Sequence, residues 1–260
     1  MDMAAENSSR IKIAFIASLI IAGALIVGLP SPASAEPAAT TAPVRLTLLG
    51  DSMMAEQPEA RGLQGWGAYL DKYLLNVQVT DLASSGRSSK SFMLGDMQTN
   101  GIIKPPLKWP KVLATPADYW LISFGGNDPK SGFRHTDPFG SYTTNLMTYI
   151  NEARKRGITP VLITPTHHPR PKNGSLEPLA PYAEAVRQLA RKENVPVMDL
   201  YDFTTQWYVK EGTDVVKYQP PEYGGHFNHA GAEFFAAEMA RQFSKIEPRA
   251  GQPKPFVASP

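Results

Sequence analysis

The chain has 260 residues, with 26 Lys and Arg against 24 Asp and Glu, a formal charge of +2, and no cysteine. So even a charge balance argues against a nucleic-acid-binding protein. The lack of Cys excludes disulfides and a lipid anchor of the Cys-modified kind, so an exported form of this chain must rely on its core.

The N-terminus has the pattern of a targeting segment rather than of fold. Arg10 and Lys12 precede an apolar run over residues 13–29, followed by Pro30 and Ala33-Ser34-Ala35. This predicts a secretory signal peptide over 1–35, cleaved after Ala35, and a secreted or periplasmic protein. The run approaches the length of an uncleaved anchor helix, but the Ala-x-Ala site favours cleavage and no membrane attachment afterwards. Roughly 225 residues remain, enough for one domain with a full core. Residues 36–43 are Ala/Thr/Pro-rich and predict a disordered leader, the folded domain spans 44–246, and 247–260 is a loose Pro-rich tail.

Residues 44–49 are short, apolar and bounded by Pro43 and Gly50, as expected of a central parallel strand. The run ends in Gly50-Asp51-Ser52, which places Ser52 at the rim where open α/β sheets bind ligands. A helix-like run follows over 68–75, then a second strand over 77–82 that closes in Ser85-Gly86-Arg87. Residues 95–116 are polar and Pro-punctuated and predict a surface wrap. A third strand over 119–124 ends in Gly125-Gly126-Asn127-Asp128. Helical spacing over 142–156 stops at Gly157, a fourth strand covers 159–164, and 167–181 is a basic, Pro-rich loop. A second strong helix over 182–193, a fifth strand over 195–200 and a last helix over 230–243 complete the chain. Alternation at this spacing predicts an α/β fold with a parallel sheet covered by helices on both faces.

Three strand ends therefore carry small or polar residues, and His226 lies just before the last helix. Acyl transfer by serine needs a nucleophile, a histidine base and donors aimed at the developing oxyanion. Ser52 is the candidate nucleophile and His226 the candidate base. The backbone N–H groups of Ser52 and Gly86 and the amide of Asn127 are candidate oxyanion donors. Trp66 is a possible sugar-stacking platform and Arg87 a possible contact for an acidic polysaccharide. No cofactor or metal is expected.

These blocks resemble the SGNH (GDSL) hydrolases, and within them the rhamnogalacturonan acetylesterase branch. The likeness rests on Gly50-Asp51-Ser52, Gly65-Trp66-Gly67, Gly86-Arg87-Ser88-Ser89, Gly125-x-Asn127-Asp128 and His226-x-Asn228-x-x-Gly231, and it spans residues 44–243. It implies a three-layer, flavodoxin-like fold with a five-stranded parallel sheet, and metal-free ester hydrolysis. The implied substrate is an acetylated polysaccharide or small ester, taken by a monomer. The alternatives are a lipid or thioester hydrolase of the same superfamily, and a degenerate carbohydrate-binding protein. Two positions depart from the pattern. Where the family has Asp three residues before the histidine, this chain has Tyr223. Glu222 is then the candidate triad acid if Gly224-Gly225 supplies the slack; otherwise a backbone carbonyl orients a Ser–His dyad. Asp81 replaces an expected Asn, which bears on the support of Gly86.

Overall fold

A computed structural model describes residues 42–97, 101–167, 179–248 and 256–257. The expected signal peptide and most of the leader lie outside the described residues, which all belong to one compact unit, Ala39–Pro260.

Five strands form a parallel sheet: β1 (Val44–Gly50), β2 (Val77–Asp81), β3 (Tyr119–Ser123), β4 (Thr159–Ile163) and β5 (Val197–Met198), in the order β2-β1-β3-β4-β5. β1 is an interior strand, with Leu46 opposite both Val79 and Tyr119. The order reverses direction between β1 and β3, and this switch point is where an open sheet leaves a crevice beyond its carboxyl ends.

Strand alternation sorts the core into two layers. Leu46, Leu48, Leu121, Val161 and Ile163 face one side, packing on Trp66, Trp207, Phe235 and Phe243. Leu49, Trp120, Ile122 and Leu162 face the other, packing on Phe92, Leu146, Tyr149 and Val186. Helices α1 (Ser89–Leu94), α2 (Trp109–Ala114), α3 (Thr143–Lys155) and α4 (Leu179–Glu193) cover the second face. Helices α5 (Leu200–Glu211) and α6 (His229–Phe243) cover the first. The expected three-layer α/β fold with a five-stranded parallel sheet is thus present.

Several local expectations are corrected. The run over 68–75 is a 3-10 helix, Trp66–Tyr73, followed by Leu74–Leu75 paired antiparallel with Phe256–Val257 of the tail. Inside the supposed surface wrap, α2 buries Val112 under the sheet. The fifth strand keeps only two residues, because Asp199 caps a helix there: its side chain accepts from Asp202 N at 3.0 Å, and α5 begins at Leu200.

Candidate active site

β1 ends at Gly50, a position with no room for a side chain: an ideal Cβ would lie 2.7 Å from the carbonyl oxygen of Ser123 on β3. The turn that follows is closed by Met54 N and Ala55 N on the Asp51 carbonyl, at 3.2 and 2.9 Å. It lifts Ser52, partly exposed, to the end of the sheet. Asp51 itself points inward and accepts from Met53 N at 2.9 Å. Burial pushes its carboxyl up to about 6, against the pull of the Met53 N–H and the nearby Lys130 charge.

Ser52 Oγ and His226 Nε2 are 2.7 Å apart although 174 residues separate them in sequence. The other ring nitrogen, Nδ1, lies 2.9 Å from the carbonyl oxygen of Tyr223. A carbonyl oxygen only accepts, so Nδ1 carries the proton and Nε2 is left as the acceptor facing the serine. The loop is shaped by a turn at Pro221–Tyr223 and by Gly224 and Gly225, at φ +59° and +92°. The buried Gln219 side chain donates to the Gly225 carbonyl, and Asn228 Oδ1 accepts from Gly231 N at 2.9 Å to cap α6.

The slack of Gly224-Gly225 therefore delivers the Tyr223 carbonyl to the imidazole, not a carboxylate. Glu222 is exposed and makes no hydrogen bond or ion pair among the described residues. No contact joins Glu222 to the imidazole; the acceptor at Nδ1 is a backbone oxygen, the alternative that the sequence left open.

On the opposite side, Gly86 (φ +75°) turns the chain after β2, and its carbonyl accepts from Arg134 Nη1 at 3.2 Å. Asn127 is buried after β3. Its Nδ2 donates to the Arg87 carbonyl at 3.1 Å and lies 3.5 Å from Asp51 Oδ2, while its Oδ1 accepts from Lys130 Nζ at 2.8 Å. The neighbouring Asp128 is fully buried and organises both loops. It accepts from Ser89 Oγ at 2.6 Å, Gly125 N at 3.0 Å and Thr136 Oγ1 at 2.9 Å, as well as from Ser89 N. Burial raises its carboxyl to about 6 despite these donors. Asp81, in place of the expected Asn, accepts from Glu56 N at 2.6 Å and Ala83 N at 2.8 Å, which joins the loops after β1 and β2.

Two candidate substrate contacts read differently in the fold. Trp66 has 0 % of its surface exposed and packs within the core, so it offers no face for a sugar. The Arg87 guanidinium is paired with Asp96 at 3.0 Å, and its carbonyl holds Asn127. His229, three residues beyond His226, is occupied by Tyr69, whose hydroxyl is 2.7 Å from Nδ1. Its Nε2 lies 3.5 Å from Glu59 Oε1, outside hydrogen-bond geometry. His167 contacts Tyr201, and Arg170 and His168 lie outside the described residues. Lys130 was not singled out from the sequence, since no motif includes it; a backbone carbonyl was named as the alternative orienter, but nothing in the sequence assigned it to Tyr223.

Residues 48–234 match the GDSL-like Lipase/Acylhydrolase family, a span that contains every residue of this constellation. The chain belongs to that family. It is 31% identical over 208 residues to the probable rhamnogalacturonan acetylesterase YesY of Bacillus subtilis, covering 76% of this chain and 92% of the relative. It is 30% identical over 222 residues to the rhamnogalacturonan acetylesterase RhgT of the same organism, covering 78% and 91%. Among solved structures, the acetylxylan esterase Axe2 of Geobacillus stearothermophilus shares the fold at TM-score 0.59 and 18% identity, covering 80% of this chain and 98% of that one. As a GDSL/SGNH member the chain is a carboxylic ester hydrolase, and its fold is that of the SGNH hydrolases.

Proposed function

We propose that this GDSL hydrolase is an exported serine esterase that removes O-acetyl groups from a polysaccharide of the rhamnogalacturonan or pectin type. The single observation that carries the chemistry is the 2.7 Å contact between Ser52 Oγ and His226 Nε2. In the first half-reaction Oγ attacks the acetyl carbonyl carbon while Nε2 takes the hydroxyl proton. The C–O bond to the sugar then breaks, and the sugar oxygen leaves with the proton from Nε2. In the second, water attacks the acetyl-serine, gives its proton to Nε2, and that proton returns to Oγ as acetate departs. The backbone N–H groups of Ser52 and Gly86 and the Asn127 amide stabilise the tetrahedral oxyanion in both halves.

The ring works as one half of a dyad. The Tyr223 carbonyl fixes the tautomer, as an acid would, but as a neutral dipole it stabilises the imidazolium less than a carboxylate does. The substrate class is supported by the two acetylesterase relatives, and export by the pattern of residues 1–35.

The test is release of acetate from acetylated rhamnogalacturonan by the mature chain, beside Ser52→Ala and His226→Ala. The reading expects turnover in the parent and a loss of more than about a thousandfold in each variant. Acetate release from acetylxylan alone would move the substrate class, and a parent that hydrolyses no ester would sink the enzyme reading.

A further inference from the structure

We propose that Lys130 is a positioning residue for ester hydrolysis: its ammonium orients and polarises the Asn127 amide that faces the oxyanion. The inference rests on the esterase reading given above, and it concerns a residue outside every sequence block of the family resemblance.

Lys130 Nζ is 2.8 Å from Asn127 Oδ1, and Lys130 N also donates to the Asn127 carbonyl at 3.3 Å. The lysine is exposed at the mouth of the site, whereas Asn127 is buried. The identity of each amide atom is fixed by its partner. An ammonium only donates, so it holds the oxygen; the Arg87 carbonyl only accepts, so it holds the nitrogen at 3.1 Å. One Nδ2 hydrogen is taken by Arg87. The other reaches Asp51 Oδ2 at 3.5 Å, the longest of the amide's contacts, and an incoming oxyanion would draw it away from that carboxyl.

A cation on an amide oxygen draws electron density away from the nitrogen and makes its N–H a stronger donor. The effect is transmitted within one conjugated group. Arg134 does not do the same for Gly86: the carbonyl it holds is conjugated with the N–H of Arg87, not with the Gly86 N–H proposed for the oxyanion. Charge-assisted hydrogen bonds are about twice as strong as neutral ones, so the lysine also resists rotation of the amide out of its working orientation.

Kinetics on p-nitrophenyl acetate test this with Lys130→Met, Lys130→Arg, Asn127→Ala and the Lys130→Met/Asn127→Ala double variant. A missing oxyanion donor costs about a hundredfold or more in kcat, and loss of its polarising partner is expected to cost about tenfold. KM and the thermal midpoint should stay near those of the parent, and Lys130→Arg should recover most of the rate. The double variant should be no slower than Asn127→Ala, because the lysine acts through that amide. Parent-like kcat in Lys130→Met, or a tenfold loss that persists in the Asn127→Ala background, overturns the proposal. A readout free of turnover is the Asn127 side-chain amide in a ¹⁵N spectrum. It should move in Lys130→Met and return towards its parent position in Lys130→Arg. An unmoved resonance overturns the proposal even if the protein is an active esterase. A moved resonance in an inactive parent supports the contact and sinks the esterase reading instead.

Discussion

The imidazole of His226 is oriented by the carbonyl oxygen of Tyr223, 2.9 Å from Nδ1, and the side chain that precedes that tyrosine takes no part. The acceptor comes from the same short turn as the base, so base and orienter move together.

Glu222→Gln should therefore leave kcat/KM on p-nitrophenyl acetate within about twofold of the parent, since an exposed carboxylate with no partner is worth little. A loss of orders of magnitude would place Glu222 on the ring during turnover and remove the dyad.

Gly62→Ala should lower activity from a position outside the catalytic pair. Gly62 has φ +64°, and an ideal Cβ there would lie 2.5 Å from the Tyr223 hydroxyl. The variant adds about 1 kcal/mol of left-handed strain and pushes on the residue whose carbonyl holds His226. We expect kcat to fall about tenfold with KM nearly constant, a split measured by steady-state kinetics.

Trp66→Ala should act on stability and not on saccharide affinity. A fully buried Trp truncated to Ala costs about 3–5 kcal/mol, read as a fall in the denaturation midpoint. A raised KM for acetylated polysaccharide at unchanged stability would restore Trp66 as a sugar platform.

Stability should decrease as pH rises from about 4 to about 6. Burial raises the carboxyls of Asp51, Asp81 and Asp128 to about 6 from an ordinary 3.8, so the folded state binds protons more tightly than the unfolded chain in that window. Unfolding then releases protons, and the slope of unfolding free energy with pH is negative. Asp118 and Asp199 oppose this at lower pH: despite partial burial, Arg45 and Arg187 hold them below the usual range, so their contribution is lost as pH falls through it. Thermal melts should show a higher midpoint at pH 5 than at pH 7. A midpoint rising steadily from pH 4 to pH 7 would contradict the burial of these three groups.

Much of this was legible because β-strands end where the hydrophobic run ends. Gly50-Asp51-Ser52 straddles the end of β1 and Gly126-Asn127-Asp128 follows β3 after Phe124-Gly125, so sequence punctuation alone located the switch point. Helix α5 was not legible: its Thr204, Thr205, Trp207 and Tyr208 are poor helix formers, and tertiary packing of Trp207 against Phe235 decides the matter. The capping aspartate Asp199 and the closing Gly212 were the available signals. Trp66 followed a turn in sequence, and nothing local distinguishes an indole that faces a cleft from one that fills a core. Which carbonyl orients the ring, and the lysine at Asn127, depend on loop geometry over distances that periodicity does not encode.

Asp128 fastens the start of α1 and the loop after β3 to one carboxylate through Ser89, Gly125 and Thr136. Asp128 thus ties the segment that follows Gly86 to the loop that carries Asn127, so a change at this carboxylate reaches both. The facing wall is built otherwise: Gly62 and the turn of residues 221–225 meet through side-chain packing and glycine-rich backbone. A library meant to alter ester preference on that wall should leave Gly62 and the backbone of residues 221–225 in place and vary the side chains around them.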